Sequence, residues 1–492
     1  MNTENIIGRK QEIDTLARLF NSKKSEFLAI YGRRRVGKSY LIEEAFRDDI
    51  VFSAVGIYRK KKKGLSEEQE IKEDSSYKEL QLKHFYANLL QYGLDPSMSA
   101  PSTWLDAFVL LRTLISKSTA KRKVVFIDEL PWLGGPQSSE LVEELGYFWN
   151  NWAVKQRNVF LVVCGSATSW MLDNVIRDYG GLHGRVTHKL LLKPFTLAEC
   201  KAFYEDRNFR MSDYEIALAY MAIGGVPYYM DMFRNDYTLT QNLNMMYFKN
   251  DTIATEFEDV YTGLFSSSER YIDIVRALSK KFYGMTRSEI LEATKLKGGG
   301  TVSKILDNLK ECGIIRTYPK YGASRKVTVY QLTDFFSLFY LNFVDSKAAK
   351  YEWNSFLRSN EHEEWAGRVF EILCSMHREQ IEYALRIKNA KKNYMWQGAS
   401  PSGKGAQVDM VIPAPMERTD YLCEMKYSEN KFAISSSYQE NLCNKIDAFK
   451  NSKQHKPSHS ILLVMVTTMG LANSVNNGVV NASLTLDDLL AF

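Results

Sequence analysis

The stretch that most constrains this chain is Phe27-Leu-Ala-Ile-Tyr-Gly-Arg-Arg-Arg-Val-Gly-Lys-Ser39. A short apolar run ends in Gly32, and Gly37-Lys38-Ser39 opens an amphipathic segment carrying Leu41, Ile42, Ala45 and Phe46. G-x-x-x-x-G-K-S between a strand and a helix is the setting of a phosphate-binding loop. The glycines let the backbone curl so that its N–H groups point inward at an anion, and the following helix adds the positive end of its dipole. Gly32, Arg33, Arg34, Arg35, Val36, Gly37, Lys38, Ser39 and Tyr40 are therefore the candidate nucleotide-binding segment. Lys38 would reach the β- and γ-phosphates, and Ser39 would set its hydroxyl on Mg²⁺.

A second anchor is Val124-Val-Phe-Ile-Asp-Glu129. Four apolar residues ending in two acids fit a buried parallel strand whose C-terminal tip faces the nucleotide. Asp128 would hold Mg²⁺ through its water shell, and Glu129 stands where a base polarises the attacking water. Another strand-like run, Ile50–Val55, separates the loop from this acid pair, which suggests the subclass of P-loop ATPases with an extra central strand. Val159-Phe-Leu-Val-Val-Cys-Gly-Ser166 reads as a further buried strand, with Ser166, or alternatively Thr168, where a γ-phosphate sensor would sit. Between these runs, residues 59 to 78 turn polar, with a basic run at Arg59–Lys63, and read as a solvated insertion with helical patterns after it.

The chain of 492 residues exceeds one core and predicts about three or four domains. Its net charge of +6 is compatible with nucleic acid without requiring it. Six scattered cysteines with no C-x-x-C pair argue for reduced thiols in the cytoplasm, against a zinc site or disulfide frame. The N-terminus shows no basic-then-apolar signal, and no apolar run approaches the ~18 residues of a membrane span.

Beyond the strand pattern at Lys189–Leu192, residues 196 to 262 read as all-helical, interrupted by Gly224-Gly-Val-Pro227. Three helical patterns follow, near 266–281, 286–294 and 300–312, then two alternating strands, 314–318 and 326–332, around a basic turn with Lys320, Arg325 and Lys326. Three helices and a β-wing make a winged helix, whose third helix opens with Thr301, Ser303 and Lys304 as groove contacts require; such domains also serve as hinges or protein contacts. From about 351 the pattern changes. A helix carries Phe370-Glu371, the strand 406–412 carries Asp409, and the strand 420–427 carries Glu424 and Lys426 on one face. If these strands pair, Asp409 comes beside Glu424, giving two carboxylates for one Mg²⁺, and Lys426 can orient a water toward a phosphodiester. The alternative is a related fold that keeps its acids without cleaving anything.

Order and spacing together resemble one family, the prokaryotic archaeal-type P-loop ATPases of the STAND/AAA+ borderland. The resemblance is most specific at Gly32–Ser39, Val124-Phe126-Asp128-Glu129, Gly184-Arg185, Gly224-Gly225-Pro227 and the Asp409/Glu424/Lys426 set. It implies an α/β P-loop NTPase core with a central parallel sheet over 1–195, a helical lid over 196–262, a winged helix over 263–350 and an α/β PD-(D/E)XK nuclease-like domain over 351–492. Gly8 and Arg9, in Ile6-Ile7-Gly8-Arg9, resemble the lead-in that packs near the adenine. Pro227 resembles the STAND proline that touches the base, whereas AAA+ proteins put a sensing arginine hereabouts. Arg185 resembles the arginine finger that completes a neighbour's site, which would make the protein a homo-oligomer; the other readings are a helix cap or an ion pair, and Arg177 is the nearby competitor. Glu371, Asp409 and Glu424 would hold the metal of the nuclease-like domain, and Lys426 would serve its catalysis. The cofactors implied are ATP and Mg²⁺, with DNA as partner and ATP hydrolysis gating the C-terminal activity. The alternative is a signalling or scaffolding ATPase whose nuclease-like module is inactive and binds a protein.

Overall fold

The computed structural model describes residues 1–58, 66–135, 139–177, 182, 184–249, 251–265, 268–320, 327–345, 353–357 and 359–491. The basic run 59–63, Gly181 and His183 beside Arg185, and Arg325 and Lys326 of the expected wing turn lie outside the described residues. The chain divides into two compact units, Met1–Lys193 with Asp259–Ser268, and Pro194–Glu258 with Glu269–Phe492.

The first unit is built on a parallel sheet of β1 (Glu26–Tyr31), β2 (Ile50–Val55), β3 (Lys123–Asp128), β4 (Val159–Gly165) and β5 (His188–Leu191), in the order β2-β3-β4-β1-β5. Alternate residues of a strand face opposite sides. In β1, Phe27, Ala29 and Tyr31 join one core with Trp149 and Leu111, while Leu28 and Ile30 join another with Ile42 and Phe46. Two-sided burial is why β3 and β4 read as nearly unbroken apolar runs. The sheet does hold a strand between the loop strand β1 and the acid strand β3, but that strand is β4. The run Ile50–Val55, which suggested it, is at the sheet edge, paired to β3 alone.

The polar stretch expected as a solvated insertion is helical from Glu67, in a helix reaching Gln91. Ser66 and Gln69 close a capping box at its start, and Leu82, Phe85 and Leu89 anchor its later turns in the core. The S-x-x-Q signature was legible in the sequence; the charged composition of the first turns masked it.

The second unit opens with the helices Leu197–Asp206, Asp213–Ile223 and Leu239–Phe248, each started by a capping box. The helices Ser268–Ser279, Arg287–Thr294 and Gly300–Glu311 follow, with an antiparallel sheet of β6 (Met285–Thr286), β7 (Ile315–Lys320) and β8 (Val327–Leu332) in the order β6-β8-β7. The two-residue β6, too short to leave a sequence pattern, pairs Met285 with Tyr330 and Thr286 with Val329. The helix Phe335–Phe343 ties this module to its neighbours through rings. Phe336 stacks on Tyr229, with centroids 4.7 Å apart, and Tyr340 lies parallel to Phe257 at 4.9 Å.

The C-terminal part carries β9 (Tyr394–Ala399), β10 (Gly405–Ala414), β11 (Thr419–Lys426), β12 (Ser460–Thr467) and β13 (Ala482–Leu484) in the order β13-β12-β11-β10-β9. β9, β10 and β11 form an antiparallel meander, and β12 and β13 continue it in parallel. The helices Asn360–Met376 and Ser436–Lys450 pack against this sheet.

Gly225 marks a tight backbone approach in the second unit. Its carbonyl accepts from Phe195 N at 2.6 Å, and a Cβ there would lie 2.1 Å from Phe195 O. Backbone cannot yield as a side-chain tip can, so Gly225→Ala should destabilise this unit by about 1–3 kcal/mol or more. Thermal or urea melts of the two proteins read this directly; unchanged melting would show that the contact gives way freely.

Candidate functional site

The site in the first unit begins where β1 ends. Gly32 has φ +138°, and a Cβ on it would stand 2.4 Å from Leu192 O, so only glycine lets the loop start so close to the neighbouring chain. Gly37 has φ +88° with open space around it, so there the dihedral alone calls for glycine. Arg35 also sits in the left-handed region, at φ +71°. The loop closes around the Lys38 ammonium, which donates to Gly32 O at 3.2 Å and Arg33 O at 3.0 Å.

The segments expected to serve it converge on this loop. Ser39 Oγ, at the start of the helix Lys38–Phe46, donates to Asp128 Oδ2, at the end of β3, at 2.5 Å. Glu129 follows in the left-handed region, at φ 46°, its N–H donating to Asp128 Oδ1 at 2.8 Å. That turn swings its carboxylate to Ser166, which gives it both the backbone N–H, at 2.9 Å, and the hydroxyl. Burial raises the Glu129 pKa, while Lys38 and the Ser166 bonds oppose the rise. The result is a carboxylate held in place and more basic than a free one, as a general base requires. Ser166 thus engages Glu129, whereas Thr168, the alternative sensor, turns its hydroxyl to Gly32 O at 3.5 Å and Ser166 O at 3.3 Å. The hydroxyl of Ser39 and the carboxylate of Asp128 are hard oxygen donors side by side, the chemistry that suits Mg²⁺.

Several expected residues have definite local partners. Arg9, itself in the left-handed region beside Gly8, is buried and donates to Val36 O at 2.9 Å and Lys193 O at 2.6 Å, so it braces the phosphate loop by its backbone. Arg33 is buried under the loop, and Arg34 reaches Asp259 O at 3.4 Å. Tyr40 is exposed, with its hydroxyl on Asn5 O. Arg185 lies along the helix Ser139–Asn151, beside Gly146, and Asn150 accepts from its Nε at 2.7 Å once the amide is turned to suit both groups. Arg177 is paired within its own turn to Asp173 at 2.8 Å. Pro227 belongs to the second unit, as the first residue of the short helix Pro227–Met230.

A second cluster forms in the C-terminal part. The β10–β11 ladder ends with Met410 opposite Cys423, so Asp409 and Glu424 are the next residues on the two strands, close enough for the Asp409 charge to act on Glu424. The pairing of β10 with β9 shifts between Val408 and Val411, so Asp409 lies in a bulge, a device that re-aims a side chain. Its Oδ2 accepts from Met425 N at 3.0 Å. Glu424 is fully buried, while Asp409 and Glu371 keep a little solvent contact and are enclosed on most sides. Burial and the Asp409 charge push Glu371 up to about 9 and Glu424 up to about 7; burial likewise raises Asp409. Lys426 does not bond to these acids; its Nζ lies 5.1 Å from the Tyr438 ring centroid. The ammonium that does is Lys445, 2.5 Å from Glu424 Oε2, from a helix whose polar face gave no signal of its role. Two carboxylates side by side suit one Mg²⁺ with waters, but among the described residues no three or more Asp, Glu, His or Cys converge to hold a metal ion.

Comparison with known proteins bears on the first of these sites. Residues 6–233 match the family model of an ATPase domain found predominantly in Archaea. An uncharacterized protein of Methanocaldococcus jannaschii is 23% identical over 441 residues, 86% of this chain and 88% of its own length. An uncharacterized ATP-binding protein of the same organism is 45% identical over 38 residues, 8% of this chain and 64% of its own. Similar solved structures include the Walker-type ATPase of Pyrococcus abyssi, at 20% identity and TM-score 0.48, covering 69% of this chain and 97% of that one. Another is the Aeropyrum pernix ORC2 protein in its ADPNP–ADP complexes, at 14% identity and TM-score 0.39, covering 69% and 95%. The family match supports an ATP-binding ATPase domain and stops short of the carboxylate cluster. No helix among the described residues is long and apolar enough to cross a membrane.

The carboxylate cluster carries a pH signature. A carboxyl whose pKa is raised on folding holds its proton more tightly folded than unfolded. Its contribution to stability is full below the ordinary value of 4.5 and is lost as pH climbs toward about 9 for Glu371 and about 7 for Glu424. Glu371→Gln should therefore remove the part of the wild-type decline in melting temperature that lies between about pH 7 and 9. Melting curves across that range test it, and parallel curves for the two proteins would contradict it.

Proposed function

We propose that the chain is an ATPase whose nucleotide state governs a DNA-directed, Mg²⁺-dependent, nuclease-like C-terminal domain. The observation that carries the nucleotide half is the Ser39–Asp128 bond beside the enclosed Lys38. Lys38 would neutralise the β- and γ-phosphate oxygens, and Ser39 and Asp128 would hold Mg²⁺, which supplies further charge neutralisation there. Glu129 would take the proton of the attacking water, and its release from Ser166 would time that step. Arg185 is the candidate arginine finger, within its own subunit or across a homo-oligomer interface. Gly8, Arg9 and Pro227 are the candidates for the adenine end of the site.

In the C-terminal half, the closeness of Asp409 to Glu424 at a bulge supports a site for one Mg²⁺ that polarises a phosphodiester, with Glu371 and Lys426 at its rim. The three helices and β6–β8 sheet have the order of a winged helix, which supports DNA as the partner. We read the protein as cytoplasmic, with the domains 1–195, 196–262, 263–350 and 351–492. One observation favours the second reading, a signalling or scaffolding ATPase with an inactive nuclease-like module. The Lys445 ammonium already occupies Glu424.

The test is a nuclease panel in Mg²⁺ or Mn²⁺, with and without ATP, on linear, circular, single- and double-stranded DNA. Lys38→Ala should abolish ATP hydrolysis, and Glu129→Gln should keep ATP binding while slowing turnover by about 10²–10⁴-fold. Asp409→Ala and Lys426→Ala should spare hydrolysis and stop cleavage. Undiminished cutting by Asp409→Ala would discard the nuclease site, and no cutting by the wild type would leave the scaffolding reading.

A further inference from the structure

Lys445 projects from the helix Ser436–Lys450 onto a carboxylate with no solvent exposure, while its own side chain keeps 13% of its surface in solvent. It is the strongest of the cationic influences on Asp409 as well. The surroundings of this ion pair are incompletely satisfied. Glu424 Oε1 is buried with no hydrogen-bond partner, and so is the hydroxyl of Thr467, a fully buried residue. Thr467 is paired in register with Lys426, which puts it on the same sheet face as Glu424 and Lys426. The Tyr438 hydroxyl, from the helix that bears Lys445, is buried beside Glu424. A buried oxygen without a donor is expensive, so a cluster of them marks a place where a further group is expected. Oxygen atoms beside two carboxylates call for a hard cation and its waters rather than an anion or an apolar ligand.

We propose that Lys445 is a tethered counter-ion that competes with a divalent cation for Glu424: its ammonium holds Oε2 in the cation-free protein and yields that oxygen when the cation seats between Glu424 and Asp409. The proposal rests on the metal-dependent reading of this cluster given above. Lysine suits the task, since its compact charge rides on a flexible four-carbon stem and binds at a single point. Its partial exposure gives the head a path to water once displaced. Lys426, parked over the Tyr438 ring, makes no such contact with the acids and is not the competitor. Because an oxygen engaged by the ammonium must be freed first, the observed metal affinity is lowered by the fraction of time that Lys445 occupies it.

The measurement is Mn²⁺ binding to the full chain without nucleotide, by titration calorimetry at mildly alkaline pH. The proteins compared are wild type, Lys445→Met, Lys445→Arg and Asp409→Ala. Lys445→Met should bind at least about tenfold more tightly than wild type. Lys445→Arg should keep the wild-type affinity or weaken it, and Asp409→Ala should lose this site. Lys445→Gln keeps an N–H donor for Glu424 and carries the same expectation if the methionine protein melts early. Unchanged or weaker binding by both uncharged variants, with wild-type binding still dependent on Asp409, overturns the counter-ion and leaves the metal site standing. No Asp409-dependent Mn²⁺ binding in any of these proteins overturns the metal site itself, and the counter-ion with it.

Discussion

The contact between the Ser39 hydroxyl and the Asp128 carboxylate fixes the rest of the first unit. Ser39 stands at the start of the helix Lys38–Phe46, after the loop, and Asp128 at the end of β3; they meet although β4 lies between β1 and β3. The sheet that carries them is parallel and buried on both faces, which accounts for its unbroken apolar runs. The loop itself begins at Gly32, where the approach of the Leu192 carbonyl leaves no room for a side chain. A carboxylate and a hydroxyl at one spot, beside an enclosed ammonium, concentrate polar groups at one end of an otherwise apolar sheet.

Much of this was legible because the chemistry is local. A glycine-framed loop ending in Lys38-Ser39, and an apolar strand ending in Asp128-Glu129, each lie within a few consecutive residues, so pattern alone reveals them. Strand order is not local. The sequence shows a strand between the two motifs, and only the sheet shows that the intervening strand in space is β4. The Glu129–Ser166 contact was hidden for a related reason: both residues were singled out, but for different tasks, and nothing linear tells that a left-handed turn at Glu129 joins them.

The C-terminal cluster follows the same division. Asp409 and Glu424 could be paired on paper because two strands of known period need only an antiparallel register. The bulge that turns Asp409 depends on β9, a strand with little apolar alternation, and it left no trace to read. Lys445 was invisible for the opposite reason. It sits on a helix rich in polar residues, where one lysine resembles any other until a buried glutamate is found beneath it. The family model reaches only residue 233, so the chemistry of this cluster has to be argued from its own atoms.

Arg9 carries a mechanical consequence. One guanidinium grips both the Val36 carbonyl, inside the phosphate loop, and the Lys193 carbonyl, where the chain leaves its first long passage through this unit. A rigid planar fork with two such attachments acts as a strut: the loop cannot shift without tugging on the departing backbone. The Val36 and Lys193 carbonyls are thus linked through a single side chain.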